Sequence, residues 1–162
     1  MQKLSWREKY AGILVLLIGI ISLLMQVANL TSNTSRPYSI QQGSLVIDKN
    51  ELLGDIKTYL VIILGLLGGW LLLRSKRTGW VFGQLVLLLF TSIISLMVVD
   101  QFIKTKRFNT MLTASGAVIF FLLLAVLFLF LPSARQKYRA SKGTVLLTLL
   151  LFMAISFVYF RL

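Results

Sequence analysis

The chain has 162 residues, of which 57% are hydrophobic and 14% are charged, and its mean hydropathy is +0.86. Soluble domains are about half apolar and one quarter charged, so this composition excludes a soluble globular domain, and it is too apolar for a disordered chain. The 17 Lys and Arg residues exceed the 5 Asp and Glu residues, which gives a formal net charge of +12. We therefore predict an integral membrane protein whose charge bias sets its orientation.

Five apolar segments are each about long enough to cross a bilayer. A helix needs about 20 predominantly apolar residues to cross a hydrocarbon core of roughly 30 Å. The segments cover residues 11–30, 56–73, 80–99, 111–131 and 143–160. They predict an all-α bundle of five transmembrane helices that forms a single transmembrane domain over residues 1–162.

Other interpretations of these segments are less favourable. The first segment follows Lys3, Arg7 and Lys9, as the core of a signal peptide would, but its apolar run exceeds the usual 7–15 residues and no convincing A-x-A cleavage site follows it. Soluble core helices would leave too little polar sequence to cover them. Barrel strands would alternate polar and apolar residues, whereas these runs are continuous.

The basic residues predict which way the bundle faces. Ten lie on the side of the N-terminus, namely Lys3, Arg7, Lys9, Arg74, Lys76, Arg77, Arg135, Lys137, Arg139 and Lys142. Seven lie on the other side, namely Arg36, Lys49, Lys57, Lys104, Lys106, Arg107 and Arg161. The positive-inside rule then predicts an inner N-terminus and an outer C-terminus in a bacterial-type plasma membrane.

The inner basic residues also suggest a partner. Attraction to anionic lipid headgroups is worth roughly 1 kcal/mol for each Lys or Arg near the surface. Nucleic-acid binding is disfavoured, because the charges are scattered over short loops with no recognised binding module. Aromatic residues at the segment edges suit interfacial anchoring, namely Trp6, Tyr10, Trp70, Trp80, Tyr138 and Tyr159.

Residues 31–55 form the one sizeable loop, on the predicted outer side. Its first part is a Ser- and Asn-rich linker up to Pro37. The stretch SIQQGSLVID then alternates weakly, which fits either a small hairpin or an extended surface segment. Asp48 and Glu51 have capping-box spacing, so the second helix is predicted to begin near Lys49 and to run to about Lys76.

Small and polar residues recur on single faces of the first three helices. In lipid, such faces mark contacts between helices, because small side chains allow close approach and polar ones hydrogen-bond. The predicted packing residues are Gly12, Gly19 and Gln26 on the first helix, Gly65 and Gly69 on the second, and Gly79 and Gly83 on the third. We expect these three helices to form the packed centre, while the fourth is apolar all round.

Two features remain as candidates for activity within the membrane. Gln84, Thr91 and Ser95 share one side of the third helix, so they form either a polar path or, as we favour, a set of structural hydrogen bonds. Asp100 is the best single candidate for a functional acid. Since Lys104 follows it by one helical turn, an interfacial ion pair is the favoured interpretation.

The absent residue types limit the chemistry. The sequence has no Cys and no His, which excludes disulfides, thiolate nucleophiles, Cys or His ligation of metals and a Ser-His-Asp triad within the chain. It also has no GxSxG motif and no P-loop. We therefore predict no catalytic residue, no cofactor and no metal site.

The sequence predicts function mainly by exclusion. The leading hypothesis is a non-catalytic accessory, scaffold or assembly subunit that contacts a larger membrane complex or its own copies. The alternative is a small oligomeric channel or transporter lined by Gln84, Thr91 and Ser95. A third hypothesis is a lipid-modifying membrane enzyme that uses Asp100.

Overall fold

The computed structural model describes residues 5–32, 38–41, 44–47, 49–105 and 110–161. The helices in these ranges are α1 (Trp6–Thr31), α2 (Lys49–Leu73), α3 (Arg77–Thr105), α4 (Thr110–Phe130), α5 (Pro132–Lys137) and α6 (Lys142–Arg161). Within the described ranges, all of these except the short α5 are long and apolar enough to cross a membrane, which confirms the five predicted apolar helices.

The segment between α1 and α2 contains two short strands. Strand β1 (Tyr38–Gln41) pairs antiparallel with β2 (Ser44–Ile47), with Tyr38 opposite Ile47 and Gln41 opposite Ser44. A hairpin was one of the two structures that the weak alternation allowed. The predicted linker residues 33–37 and the capping residue Asp48 lie outside the described residues, as does the side chain of Glu51.

One end of the bundle carries the start of α1, residues 74–77 and α5, and we call it the basic end. Both connections at this end contain a residue other than glycine in the left-handed conformation. Helix α2 ends at Leu73 rather than near Lys76, because Ser75 has φ 55° and the Lys76 N–H donates to Leu71 O at 2.9 Å. After α5, Arg139 has φ 49° and the Ala140 N–H donates to Arg135 O at 2.8 Å. These bonds satisfy carbonyls that a helix end would otherwise leave unpaired.

Helix α3 lies at the centre of the packing. It contacts α1, α2, α4 and α6, while α1 also packs along α2 and against α4. Fully buried side chains from α1, α2, α3 and α4 form the core, including Val15, Leu72, Trp80, Leu87 and Leu129. Helix α6 packs chiefly against α3, so the described residues leave most of its surface uncovered.

Candidate functional site

The predicted stripe on α1 faces α2 over its whole length. Gly19 meets Gly65 backbone to backbone, since a methyl group on Gly65 would lie 2.7 Å from Gly19 Cα. Gly12 lies against the side chain of Leu73, nearer the basic end. At the opposite end, Gln26 Nε2 donates to Asp55 Oδ1 at 2.8 Å. The three residues spaced seven apart on α1 therefore all contact α2, which runs antiparallel to α1.

The glycines of α2 and α3 are also covered within the chain. A methyl group on Gly69 would lie 2.7 Å from Leu16 Cβ on α1. Gly79 lies directly against the backbone of Leu71 and Leu72, and Gly83 lies against the Leu72 side chain. The small residues thus hold α1, α2 and α3 together, and their faces are not available to a partner.

Two of the three predicted polar side chains of α3, those of Gln84 and Thr91, make hydrogen bonds to backbone carbonyls. Gln84 is fully buried, and its Nε2 donates to Val126 O on α4 at 3.4 Å. Thr91 Oγ1 donates to Leu87 O of its own helix at 2.7 Å. Ser95, one further turn along, is half-buried. Gln84 Oε1 is buried and has no hydrogen-bond partner among the described residues.

Replacing Gln84 by leucine is expected to change the free energy of unfolding by less than about 1 kcal/mol. Hydrogen bonds between membrane helices contribute about 0.6 kcal/mol on average, and the substitution also removes an oxygen that has no partner. Reversible unfolding of the purified protein in detergent, driven by added SDS, measures this difference. A loss above about 2 kcal/mol would contradict so small a contribution from Gln84.

Asp100 lies near the end of α3, opposite the basic end. Its Oδ2 is 2.6 Å from Lys104 Nζ, and both side chains are well exposed, at 62% for Asp100 and 70% for Lys104. Exposed pairs of this kind contribute little to stability. The acid therefore has a charge partner one helical turn away and lies outside any enclosed cleft of the described structure.

Glu8 lies at the basic end, and the sequence alone assigned it no role. Glu8 closes a capping box, because its Oε2 accepts from the Ser5 N–H at 2.8 Å while Ser5 Oγ accepts from the Glu8 N–H at 3.4 Å. Glu8 Oε2 also accepts from Lys137 Nζ on α5 at 2.6 Å. The S-x-x-E signature was readable at Ser5, but the pairing with Lys137 spans 129 positions and had no local signal.

Tyr138 stands beside this ion pair and is almost fully buried. Its hydroxyl donates to Leu72 O at 3.0 Å, which joins the end of α5 to the end of α2. Burial raises the pKa of Tyr138, and the negative charge of Glu8 raises it further. Tyr138 and Trp80 were expected as interfacial anchors, but both are buried. Trp80 Nε1 donates to Leu129 O at 2.9 Å.

We expect stability to fall at high pH because of Tyr138. Below the usual tyrosine pKa of about 10, the side chain is protonated in both the folded and unfolded states, so its contribution is fully present there. Above that pH the unfolded state loses the proton first, so the free energy of unfolding falls by up to about 1.4 kcal/mol per pH unit. Thermal unfolding at pH 8 and pH 11 should show a steeper loss for the native protein than for Tyr138→Phe. Equal losses would contradict this assignment.

A second network ties α3 to the start of α6. Arg77 Nη2 donates to Thr144 Oγ1, and Thr144 Oγ1 lies 3.1 Å from Ser141 Oγ. Ser141 also caps α6 by accepting from the Thr144 N–H at 3.3 Å. At the other end of α6, Lys57 Nζ lies 5.3 Å from the centre of the Tyr159 ring. Helix α6 is therefore fixed to its neighbours through polar contacts at both ends.

An open groove of about 440 Å³ lies between α5 and the start of α6. We call it the α5 groove, and it is lined by Pro132, Arg135, Gln136, Arg139, Ala140 and Ser141. Arg135 Nε is buried without a hydrogen-bond partner in the described ranges. A groove with two guanidinium groups and a hydroxyl is suited to holding an anion.

The chemistry of the site is therefore that of ionic and hydrogen-bonding contacts. Within the described ranges, no three Asp or Glu side chains come together as a metal-binding group would require. The sequence matches no protein-family model, and comparison with curated proteins and with solved structures finds no match.

Proposed function

We propose that the protein is a non-catalytic accessory, scaffold or assembly subunit of a membrane complex. In this proposal the five apolar helices cross a bacterial-type plasma membrane as a single transmembrane domain over residues 1–162. The basic end, made by the start of α1, residues 74–77 and α5, faces the inside, so the C-terminus lies outside. The partner is another membrane protein or a second copy of the chain.

The apolar outer face of α6 is the observation that carries this proposal. Helix α6 buries Thr144 and Thr148, while the side chains that point away from α3 are large, apolar and exposed. They include Leu146, Leu147, Leu149, Leu150 and Met153. Of the five long apolar helices in the described ranges, α6 is the least buried within the bundle, so it has the most surface to offer to a further helix.

The occupied polar groups support a role without catalysis. Gln84 and Thr91 bond to backbone carbonyls, and Asp100 pairs with Lys104. The glycine faces of α1, α2 and α3 are covered within the chain, so they are not available as a partner surface. We therefore place that surface on α6.

Site-specific photo-crosslinking in native membranes tests this proposal. A crosslinking residue at Leu150 on the outer face of α6 should give a defined adduct, either with a copy of the chain or with one membrane protein. The matched control is Leu24, an exposed residue on α1. Adduct formation at Leu150 but not at Leu24 is the expected result. A purified monomer with no adduct from either position would contradict the proposal.

The alternative is a small channel formed by an oligomer. The feature in its favour is the buried Oε1 of Gln84, which has no hydrogen-bond partner among the described residues. Flux through liposomes that contain the purified protein, abolished by changing Gln84, Thr91 and Ser95 to leucine, would establish a channel. Folded, reconstituted protein that conducts no solute would exclude one.

A further inference from the structure

The α5 groove carries positive charge that the described chain does not neutralise. In the described part, the ion pairs between side chains are Lys104 with Asp100 and Lys137 with Glu8. Glu8 is thus already paired, and the groove residues Arg135 and Arg139 have no carboxylate partner among the described residues. The groove therefore offers two cationic side chains to an anion from outside the protein.

We propose that the α5 groove binds the phosphate of an anionic phospholipid headgroup. Guanidinium groups hold phosphate oxygens through paired, charge-assisted hydrogen bonds. Arg135 reaches the groove from α5, Arg139 from the turn that follows, and Ser141 adds a hydroxyl. Thr144 Oγ1 lies 3.1 Å from that hydroxyl and in turn accepts a hydrogen bond from Arg77.

The position of the groove favours a lipid over a free anion. The groove is formed by residues between the end of α4 at Phe130 and the start of α6 at Lys142. It therefore lies level with the ends of two apolar helices. Pro132 and Ala140 give the groove apolar sides next to the two arginines. A phosphate bound here would leave the glycerol and acyl chains beside the apolar surface of the bundle.

The backbone of Arg139 supports a role for its side chain. Arg139 has φ 49°, a left-handed conformation that glycine adopts more easily than any residue with a Cβ. Glycine is the usual residue at this position of a helix end. Arginine at this position keeps the backbone strained but places a cation at the groove. Arg139→Gly should therefore relieve the strain and also remove the cation, so that its effects on stability and on anion binding have opposite signs.

Lipid titration of the detergent-solubilised full chain tests the site. The probes are phosphatidylglycerol, phosphatidylcholine and inorganic phosphate, with binding followed by native mass spectrometry. We expect phosphatidylglycerol to bind most tightly, and the double variant Arg135→Gln with Arg139→Gln to weaken it by about tenfold, since each basic residue near the surface contributes to anionic-lipid attraction. Arg139→Gly should weaken it by about threefold to fivefold while the melting temperature stays equal or rises.

A matched variant separates a defined site from general charge. Lys9→Gln with Lys76→Gln removes the same charge from exposed positions at the basic end and should change binding less than twofold. Equal losses in both double variants would overturn the proposal, as would inorganic phosphate that binds as tightly as the lipid. Assignment to the inner leaflet rests on the orientation proposed above, but this titration does not depend on orientation.

Discussion

Alanine at Gly19 is expected to destabilise the protein by about 1–3 kcal/mol, the usual cost of overpacking a tight contact. The added methyl group would lie 2.7 Å from Leu66 N and 2.9 Å from Gly65 C. Both atoms belong to the backbone of α2, so neither can move aside as a flexible side chain would. Helices α1 and α2 must then separate, and SDS-driven unfolding in detergent measures the loss.

Gly116 provides the matched control for Gly19. It also lies in a long apolar helix, α4, but a methyl group there meets nothing within 4 Å. Because alanine is the better helix former, Gly116→Ala should be neutral or stabilising by up to about 1 kcal/mol. Similar losses for the two alanine variants would contradict the assigned packing of α1 on α2.

Methionine at Lys137 is expected to cost about 3 kcal/mol of unfolding free energy. Lys137 Nζ lies 2.6 Å from Glu8 Oε2, and the two side chains are only 11% and 5% exposed. Removing one member of a buried pair leaves the other charge desolvated and uncompensated, which typically costs 3–5 kcal/mol. The same SDS titration measures the effect.

Lys104→Met is the control for this pair. It removes a bond of the same 2.6 Å length from the exposed pair with Asp100, so it should cost less than about 1 kcal/mol. Adding Glu8→Gln to Lys137→Met should recover part of the stability, since the buried charge is then gone. Lys137→Met that is no more harmful than Lys104→Met would show that the inner pair does not hold α5 to α1.

The helices were predictable because their apolar cores dominate the sequence. The predicted segments lie within or close to the observed helices, which extend further where polar residues continue the helix, as α1 does from Trp6. The start of α2 at Lys49 was also anticipated. Its end was not, because a left-handed Ser75 terminates the helix without the glycine that usually marks such a position.

The sequence predicted which face of α1 packs against another helix, but not which residues it meets there. Seven-residue spacing placed Gly12, Gly19 and Gln26 on one side of α1. It could not show that their partners are Leu73, Gly65 and Asp55, since these follow from the antiparallel register of α1 and α2.

The network at the basic end was largely invisible to sequence patterns. Glu8 and Lys137 are distant along the chain, and Tyr138 carried the signature of an interfacial residue although it is buried. In the sequence, Lys137, Arg135 and Arg139 are three equivalent positive charges on the same predicted side of the membrane. The structure separates them, because Lys137 has a buried carboxylate partner while the two arginines line an open groove.

The orientation of the bundle decides which compartment meets the α5 groove. The sequence contains no cysteine, so single cysteines at Ser32, after α1, and Ser133, on α5, can be labelled without background. Both positions are exposed. We expect a membrane-impermeant maleimide added to intact cells to label Ser32→Cys, and to label Ser133→Cys only after permeabilisation. The reverse pattern would contradict the proposed orientation.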